Sequence, residues 1–410
     1  MKVIALVFIS LALAVQGFDL IKSTVKPLPD TEVLQTGLEV DDHYLSFGTI
    51  CRNKQYPFEQ HKVRTYDGYF LTMFRIPGKK GEKLETAIAA KRPVVLLWHG
   101  LLDSADTWII NDEDKAPAFI LANRGYDVWV ANSRGNKYSR QHRYLDPDNE
   151  ADEEVFFGYS FEDMANHDTN STVAYILKET TKTTLGVIGH GLGATQFLLA
   201  PQTGISVLVS LGGTSILNTT QERLITMLAE SDYYINKLHE YKINELFPAN
   251  FLKETMFAMV CQTMPAICEY LVDDVLKFDA DYINTSRIDE MLAHYPAGTS
   301  LKNLLHLVQI YKNKRFARYD YGLELNRRIY NRDTPPDFDM TKVSNMKIIQ
   351  IVGEEDHIAK PSDSHWLRKQ LGTKVIFYGS YRIGHYSFTL GNDMAYLDRV
   401  IALFDQNKWA

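Results

Sequence analysis

Cysteine is scarce in this chain: Cys51, Cys261 and Cys268 are the only three in 410 residues, too few for a fold held by a disulfide framework. Positive charge is not in excess either. The net charge of −7 and a pI of about 6.0 give no support to a nucleic-acid partner or a basic membrane-binding face. The apolar run at residues 3–15 is too short to span a bilayer and lacks a stop-transfer flank, so no transmembrane segment is expected. There is no metal-ligand spacing, low-complexity tract or internal repeat, and neither a cofactor nor a metal is implied.

What is present is an ordinary globular composition, 45% hydrophobic and 23% charged, in a chain long enough for a large core with a sizeable insertion. Met1-Lys2, the apolar run and then Gln16-Gly17 read as a secretory signal peptide over residues 1–17, cleaved after Gly17. Secretion is the expected destination, with a lysosome-like compartment as the alternative. In an oxidising compartment Cys261 and Cys268 are close enough in sequence to close a small loop, leaving Cys51 unpaired; the alternative is three buried free thiols. Sequons at Asn170, Asn218 and Asn284 are glycan acceptors if exposed, although Asn170 falls in a helix-like segment.

The most informative absence is a hydroxyl. In Leu185-Gly-Val-Ile-Gly-His-Gly-Leu-Gly-Ala-Thr-Gln-Phe-Leu-Leu-Ala200 an apolar, β-favouring run ends in glycines and passes at once into a helix-compatible segment. That is the strand–turn–helix context of the nucleophile elbow, G-x-S-x-G. Gly189 and Gly193 suit its tight packing, because a Cβ at either place would meet the neighbouring strand or helix. The central position, where a serine should stand, is Gly191.

Around the elbow the chain alternates strand and helix. A hairpin is predicted over 61–76, buried strands over 92–99 and 126–131, and helices over 116–123 and 161–178. This is the grammar of an α/β fold with a mostly parallel central sheet flanked by helices. After the first buried strand, His99-Gly100-Leu101-Leu102 has the form of an oxyanion loop. Leu101 would supply one backbone N–H and Leu192, just after the elbow's centre, the other.

Several stretches carry a resemblance to a known family. They are His61-Lys-Val-Arg-Thr-Tyr-Asp-Gly-Tyr-Phe-Leu71, His99-Gly-Leu-Leu-Asp-Ser104, Asn132-Ser-Arg-Gly-Asn-Lys-Tyr-Ser139, Tyr159-Ser-Phe-Glu-Asp-Met164, His294-Tyr-Pro-Ala-Gly-Thr-Ser300 and Tyr319-Asp-Tyr-Gly322. With them the chain resembles the acid lipase family of α/β-hydrolases, the group of gastric and lysosomal acid lipases, over nearly its whole mature length. The resemblance implies hydrolysis of triacylglycerols or sterol esters and a mainly helical cap inserted into the core. The expected division is core with an N-terminal arm over 18–213, cap over 214–338 and core again over 339–410. Helix-like spacing at 224–228, 256–276 and 301–311 fits the cap. A lipid or lipid-ester ligand, and contact with a lipid interface through the cap, follow from the same likeness.

The strand at 347–352 leads to Gly353-Glu-Glu-Asp356, which resembles the family's Gly-x-x-Asp loop and makes Asp356 the triad acid. A strand at 374–378 precedes Ile383-Gly-His385, which matches the family's catalytic histidine; Ser387 stands where the family often has an acidic residue. The order elbow, acid, histidine is that of α/β-hydrolases. Glu354, Glu355 and Asp363 read as a solvated face, and His190 as a packing residue. Glycine offers no atom for an acyl-enzyme, and loss of the serine from a triad leaves only about 10³–10⁴-fold catalysis over water. Three readings follow: a secreted lipid-binding pseudoenzyme, a genuine lipase acting through water or another residue, or an interaction scaffold with a closed pocket.

Overall fold

A computed structural model describes residues 45–199, 203–240, 242–247 and 281–407. The signal segment, the Cys261 and Cys268 pair and the expected helix at 256–276 lie outside them. Cys51 is a buried free thiol. None of the described helices is long and apolar enough to cross a membrane.

Eight strands form the central sheet: β1 (Glu59–Arg64), β2 (Tyr69–Ile76), β3 (Val94–Trp98), β4 (Asp127–Ala131), β5 (Leu185–His190), β6 (Ile205–Leu211), β7 (Lys347–Gly353) and β8 (Val375–Tyr381). Their spatial order is β1-β2-β4-β3-β5-β6-β7-β8, with a two-residue strand, Gln141–His142, beside β2. β2 runs antiparallel to β1 and β4, and every pair from β4 to β8 is parallel.

The central strands read as continuous apolar runs because both sheet faces are covered. In β3 the side chains divide by the two-residue period. Val94, Leu96 and Trp98 join the core on one face, with Val187 and Leu208. Val95 and Leu97 join the other, with Ile188, Val209 and Ile349. Strand order reverses between β3 and β5, so a crevice opens at the carboxyl ends of those strands, where ligands settle in open α/β sheets. The expected hairpin and both early strands are present at those places. The helix expected over 161–178 contains a π-helical stretch, Met164–Thr169, before the regular α-helix Asn170–Thr180.

That stretch carries Asp168, whose partners are electrostatic. Arg134 is 2% exposed and its guanidinium donates to Asp168 at 2.6 and 2.8 Å and to Asp67, in the hairpin turn, at 2.6 and 3.0 Å. It also stacks 3.9 Å from the Tyr69 ring centroid. Removing one partner of a buried pair leaves an uncompensated charge, which costs about 3–5 kcal/mol. Arg134→Met should therefore lower the free energy of unfolding in urea by that amount. A loss under 1 kcal/mol would show that the network is not holding the hairpin to the helix.

Between β6 and β7 the described chain is helical: α1 (Arg223–Glu230), Asp232–Glu240, Ile288–His294, α2 (Leu301–Asn313) and Leu323–Tyr330. α1 packs on α2 through Ile225, Leu228, Leu304 and Leu307, all buried. The return segment is fastened to the core by buried Asp106, which sits 2.7 Å from both His294 Nδ1 and Lys137 Nζ.

Candidate active site

Every candidate residue lies on a loop leaving the carboxyl end of a strand: His99–Ser104 after β3, Gly191 after β5, Gly212 after β6, Asp356 after β7 and His385 after β8. Tertiary folding thus gathers five separate stretches at one edge of the sheet.

The turn from β5 into the helix Leu192–Leu199 is made at Gly191, with φ +53°. A Cβ at Gly189 would stand 2.6 Å from the Ala194 backbone, and one at Gly193 2.2 Å from the His99 carbonyl oxygen. Both glycines are therefore steric requirements of the turn. Gly191 differs: a Cβ there would meet no backbone nearer than Gly100 Cα at 3.9 Å, but would stand 3.0 Å from His385 Nε2 and 3.3 Å from Cε1. The missing side chain points at the imidazole.

His385 and Asp356 are brought together. Nδ1 donates to Asp356 Oδ2 at 2.8 Å, since a carboxylate can only accept. The other oxygen, Oδ1, accepts the amides of Ile358 (2.9 Å) and Ala359 (2.7 Å). Burial opposes the charge on Asp356, yet His385 beside it and the Ala359 amide hold its carboxyl below the usual range. Gly212, at φ +52°, makes this pairing feasible, because a Cβ there would stand 2.7 Å from Asp356 Oδ2. His190 packs its ring 4.5 Å from that of His385 and gives its Nε2–H to the His385 carbonyl at 2.9 Å. Burial, with His385 next to it, pushes His190 down to about 3, so it stays neutral.

The two expected backbone donors are oriented by their neighbours. His99 Nδ1 donates to the Gly100 carbonyl (2.8 Å) while Nε2 accepts the Ser133 amide (3.0 Å). In a trans peptide the N–H points opposite to the C=O, so pinning the Gly100 carbonyl turns the Leu101 N–H away from His99. The Gly191 carbonyl likewise accepts from the Thr214 amide at 3.3 Å, which turns the Leu192 N–H the other way. Among the described residues neither the Leu101 nor the Leu192 amide has a protein acceptor. Both residues line one pocket with Gly100, His190, His385 and Thr214.

Other placements differ from the sequence reading. Asp363 is not on a solvated face: it is 4% exposed and accepts the Thr219 amide at 3.1 Å, while Glu354 and Glu355 are exposed as expected. Asn284 is also buried, and its amide nitrogen donates to Asn111 (3.0 Å) and Asp112 (2.7 Å), bonds that a glycan on that atom would displace. Asn218 is exposed, and Asn170 is half-buried in its helix with its amide on the Asn166 carbonyl. Thr195 donates its hydroxyl to the Thr214 carbonyl and is not turned toward His385.

Sequence reasoning passed over Gly212, Thr214, Glu222, Asp103 and the Tyr295–Tyr386 pair, all at or beside the pocket. The Gly212-Gly213 doublet closing a strand was the available signal for the first. Nothing local marks the others.

The partial α/β-hydrolase lipase region model matches residues 47–112, and the α/β-hydrolase fold model matches 93–389. The chain is 32% identical over 364 residues to a gastric triacylglycerol lipase of Bos taurus, covering 86% of this chain and 89% of that one. It is 35% identical to the Homo sapiens gastric triacylglycerol lipase over 318 residues, 75% and 77% of the two chains. With lipase member K of Homo sapiens it shares 31% over 347 residues, 82% and 84%. A solved structure from Sulfolobus solfataricus superposes with a TM-score of 0.55 at 15% identity, covering 86% of this chain and 95% of that one, which shows the shared fold alone.

Proposed function

The chain belongs to the acid lipase family of the α/β-hydrolases, and from that membership we propose that it is a secreted lipid-binding protein of lipid metabolism that does not turn over esters. The observation that carries this reading is Gly191. Asp356, His385 and two amides that have no acceptor among the described residues lie around Gly191, which offers no side-chain atom to attack an ester. An imidazole can activate water, but without a covalent nucleophile the chemistry falls back on binding and the oxyanion donors, a loss of several orders of magnitude.

Lipid binding is supported by the walls. Leu224, Ile225, Leu304, Leu307 and Ile358 line the pocket beside the polar groups, the mix of apolar surface and few polar anchors expected of a small-molecule site. In this reading 214–338 forms the cap, the signal peptide ends at Gly17, and Asn170 and Asn218 carry glycans. The competing reading, a genuine hydrolase using another hydroxyl, has Thr214 as its candidate because it lines the same pocket.

The test is made on the purified secreted protein with a fluorophosphonate serine probe and with p-nitrophenyl butyrate and emulsified triolein. No labelling is expected, and turnover at least about 10⁴-fold below a gastric lipase assayed alongside. Labelling, or turnover within tenfold of that enzyme, would sink the proposal in favour of the hydrolase. Failure of the protein to retain or take up any lipid would favour the closed scaffold.

A further inference from the structure

The helix Leu323–Tyr330 packs the reverse way to an ordinary surface helix, which turns its apolar stripe to the core. Here polar groups hold it down. Asn326 is 1% exposed; its amide nitrogen donates to Asp320 (2.7 Å) and to the Asp333 carbonyl (3.1 Å), and its oxygen accepts the Tyr321 amide (3.0 Å). One turn on, the Tyr330 hydroxyl donates to the Tyr319 carbonyl at 2.9 Å. The aliphatic side chains face out: Leu323 is 52% exposed, Leu325 45% and Ile329 51%. Of the nine large hydrophobics exposed among the described residues, three therefore stand on this one short helix.

The charge around them is positive. Leu325 and Ile329 are four residues apart and share a flank, and Arg328, three after Leu325, stands beside them. Arg328 and Arg332 are exposed, while Arg327 pairs with Asp333 at 2.6 Å. From Leu323 to Arg332 the chain carries three arginines against Glu324, a local net charge of +2 that the overall −7 conceals.

We propose that this helix docks the protein on the surface of an anionic phospholipid membrane. Leu323, Leu325 and Ile329 enter the boundary between headgroups and acyl chains, and Arg328 and Arg332 meet the headgroup anions. This rests on the lipid-binding reading above and deepens it by naming the surface from which the lipid is taken.

A lipid surface suits this face better than a protein partner does. Protein interfaces are anchored by aromatic or arginine side chains seated in pockets. Leucines and an isoleucine exposed along one helix, with arginines beside them, are instead the composition of a helix lying in the interface plane. Each arginine near an anionic leaflet adds an attraction that neutral lipid does not offer. A soluble polyanion would use the arginines and leave the aliphatic side chains in water. The face is also tied to the pocket. Gln309 of α2 donates to the Asp320 carbonyl at 2.9 Å and accepts its amide at 2.8 Å, which fixes the loop entering the helix. α2 in turn lines the pocket through Leu304 and Leu307.

Full-length protein is floated with vesicles of phosphatidylcholine, alone or mixed with phosphatidylserine, at low and physiological salt. Binding to the mixed vesicles should be at least about tenfold tighter than to phosphatidylcholine alone and should weaken with salt. Leu325→Gln with Ile329→Gln, and Arg328→Gln with Arg332→Gln, should each weaken it about tenfold or more. Melting temperatures should not change, because all four side chains are exposed. Val155→Gln, at an exposed apolar residue of another helix, should leave binding as it was. Wild-type affinity in either double variant would overturn the docking face. Retained affinity in the leucine–isoleucine variant together with binding to heparin would assign the arginines to a soluble polyanion instead. Uptake of a monomeric fluorescent fatty acid reads the pocket separately. Uptake without vesicle binding would overturn the docking face and leave the lipid-binding reading; vesicle binding without uptake would overturn that reading and leave the docking face.

Discussion

Gly191→Ser is expected to raise kcat/KM on p-nitrophenyl butyrate by about 10³-fold or more over the wild type, which on the proposed reading stays at background. His385 Nδ1 and Asp356 Oδ2 are 2.8 Å apart, and the amides of Leu101 and Leu192 are turned by His99 and Thr214. The backbone at 191 already holds the left-handed φ of +53°. A non-glycine residue there costs about 1–2 kcal/mol, so the variant should melt earlier than wild type as it gains activity. The gain has a ceiling. A Cβ 3.0 Å from His385 Nε2 is tighter than ordinary contact, so the ring must withdraw by a few tenths of an ångström before a serine hydroxyl fits between them. Turnover should therefore stay below that of a gastric lipase. Gly191→Ala, with the Cβ but no hydroxyl, should remain silent. Adding His385→Ala or Asp356→Ala to the serine variant should return it to background. A wild type as active as the serine variant would mean that another group attacks the ester, and the non-catalytic proposal would fall.

The same residues show what can be read from sequence alone. Much of the sheet was legible because β3, β4, β5 and β7 are largely buried on both faces and mainly apolar, whereas β6, interrupted by Ser206 and Ser210, was not marked as a strand. The elbow was legible because its glycines are needed within one short stretch, where sequence distance and spatial distance coincide. The pairing of Asp356 with His385 was legible only through family resemblance and strand order, since a lone aspartate or histidine carries no local mark. The remainder of the site depends on contacts across long separations. His99 holding the Gly100 peptide makes sense only once Ser133 is seen on its other nitrogen. Gly212 matters because of Asp356, 144 positions away in a strand laid beside its own. Asn284 matches the sequon pattern, yet its amide is spent on Asn111 and Asp112 in the core. Asp363 sits in a polar stretch and is buried because Thr219 comes back to meet it. No periodicity encodes such pairings.

Mild acid should destabilise this protein through its buried histidines. His99, His306 and His357 are buried and held at about 4, and His190 at about 3, in each case chiefly by desolvation of the charged ring. The unfolded chain takes up these protons near the ordinary histidine value of about 6.5, whereas the folded chain does not. Between about 6.5 and 4 the unfolded state therefore binds more protons, and stability falls as pH falls; above 6.5 these groups contribute no slope. At pH 5 the linkage is about 2 kcal/mol for each histidine. Asp103 works the other way. Raised to about 7 by burial, it keeps a proton in the fold that the unfolded chain has released, which returns about 2 kcal/mol on going from pH 7 to 5. Asp106 and Asp356, both lowered in the fold, lose their contribution only below the ordinary aspartate range and do not enter this window. The net expectation is a loss of about 4–6 kcal/mol in urea-unfolding free energy between pH 7 and pH 5, with His306→Gln flattening the slope. Equal stability at the two pH values would show that the rings are charged in the fold. For His99 that would also undo the site, because a protonated Nε2 can no longer accept the Ser133 amide, and the Gly100 peptide would lose its anchor.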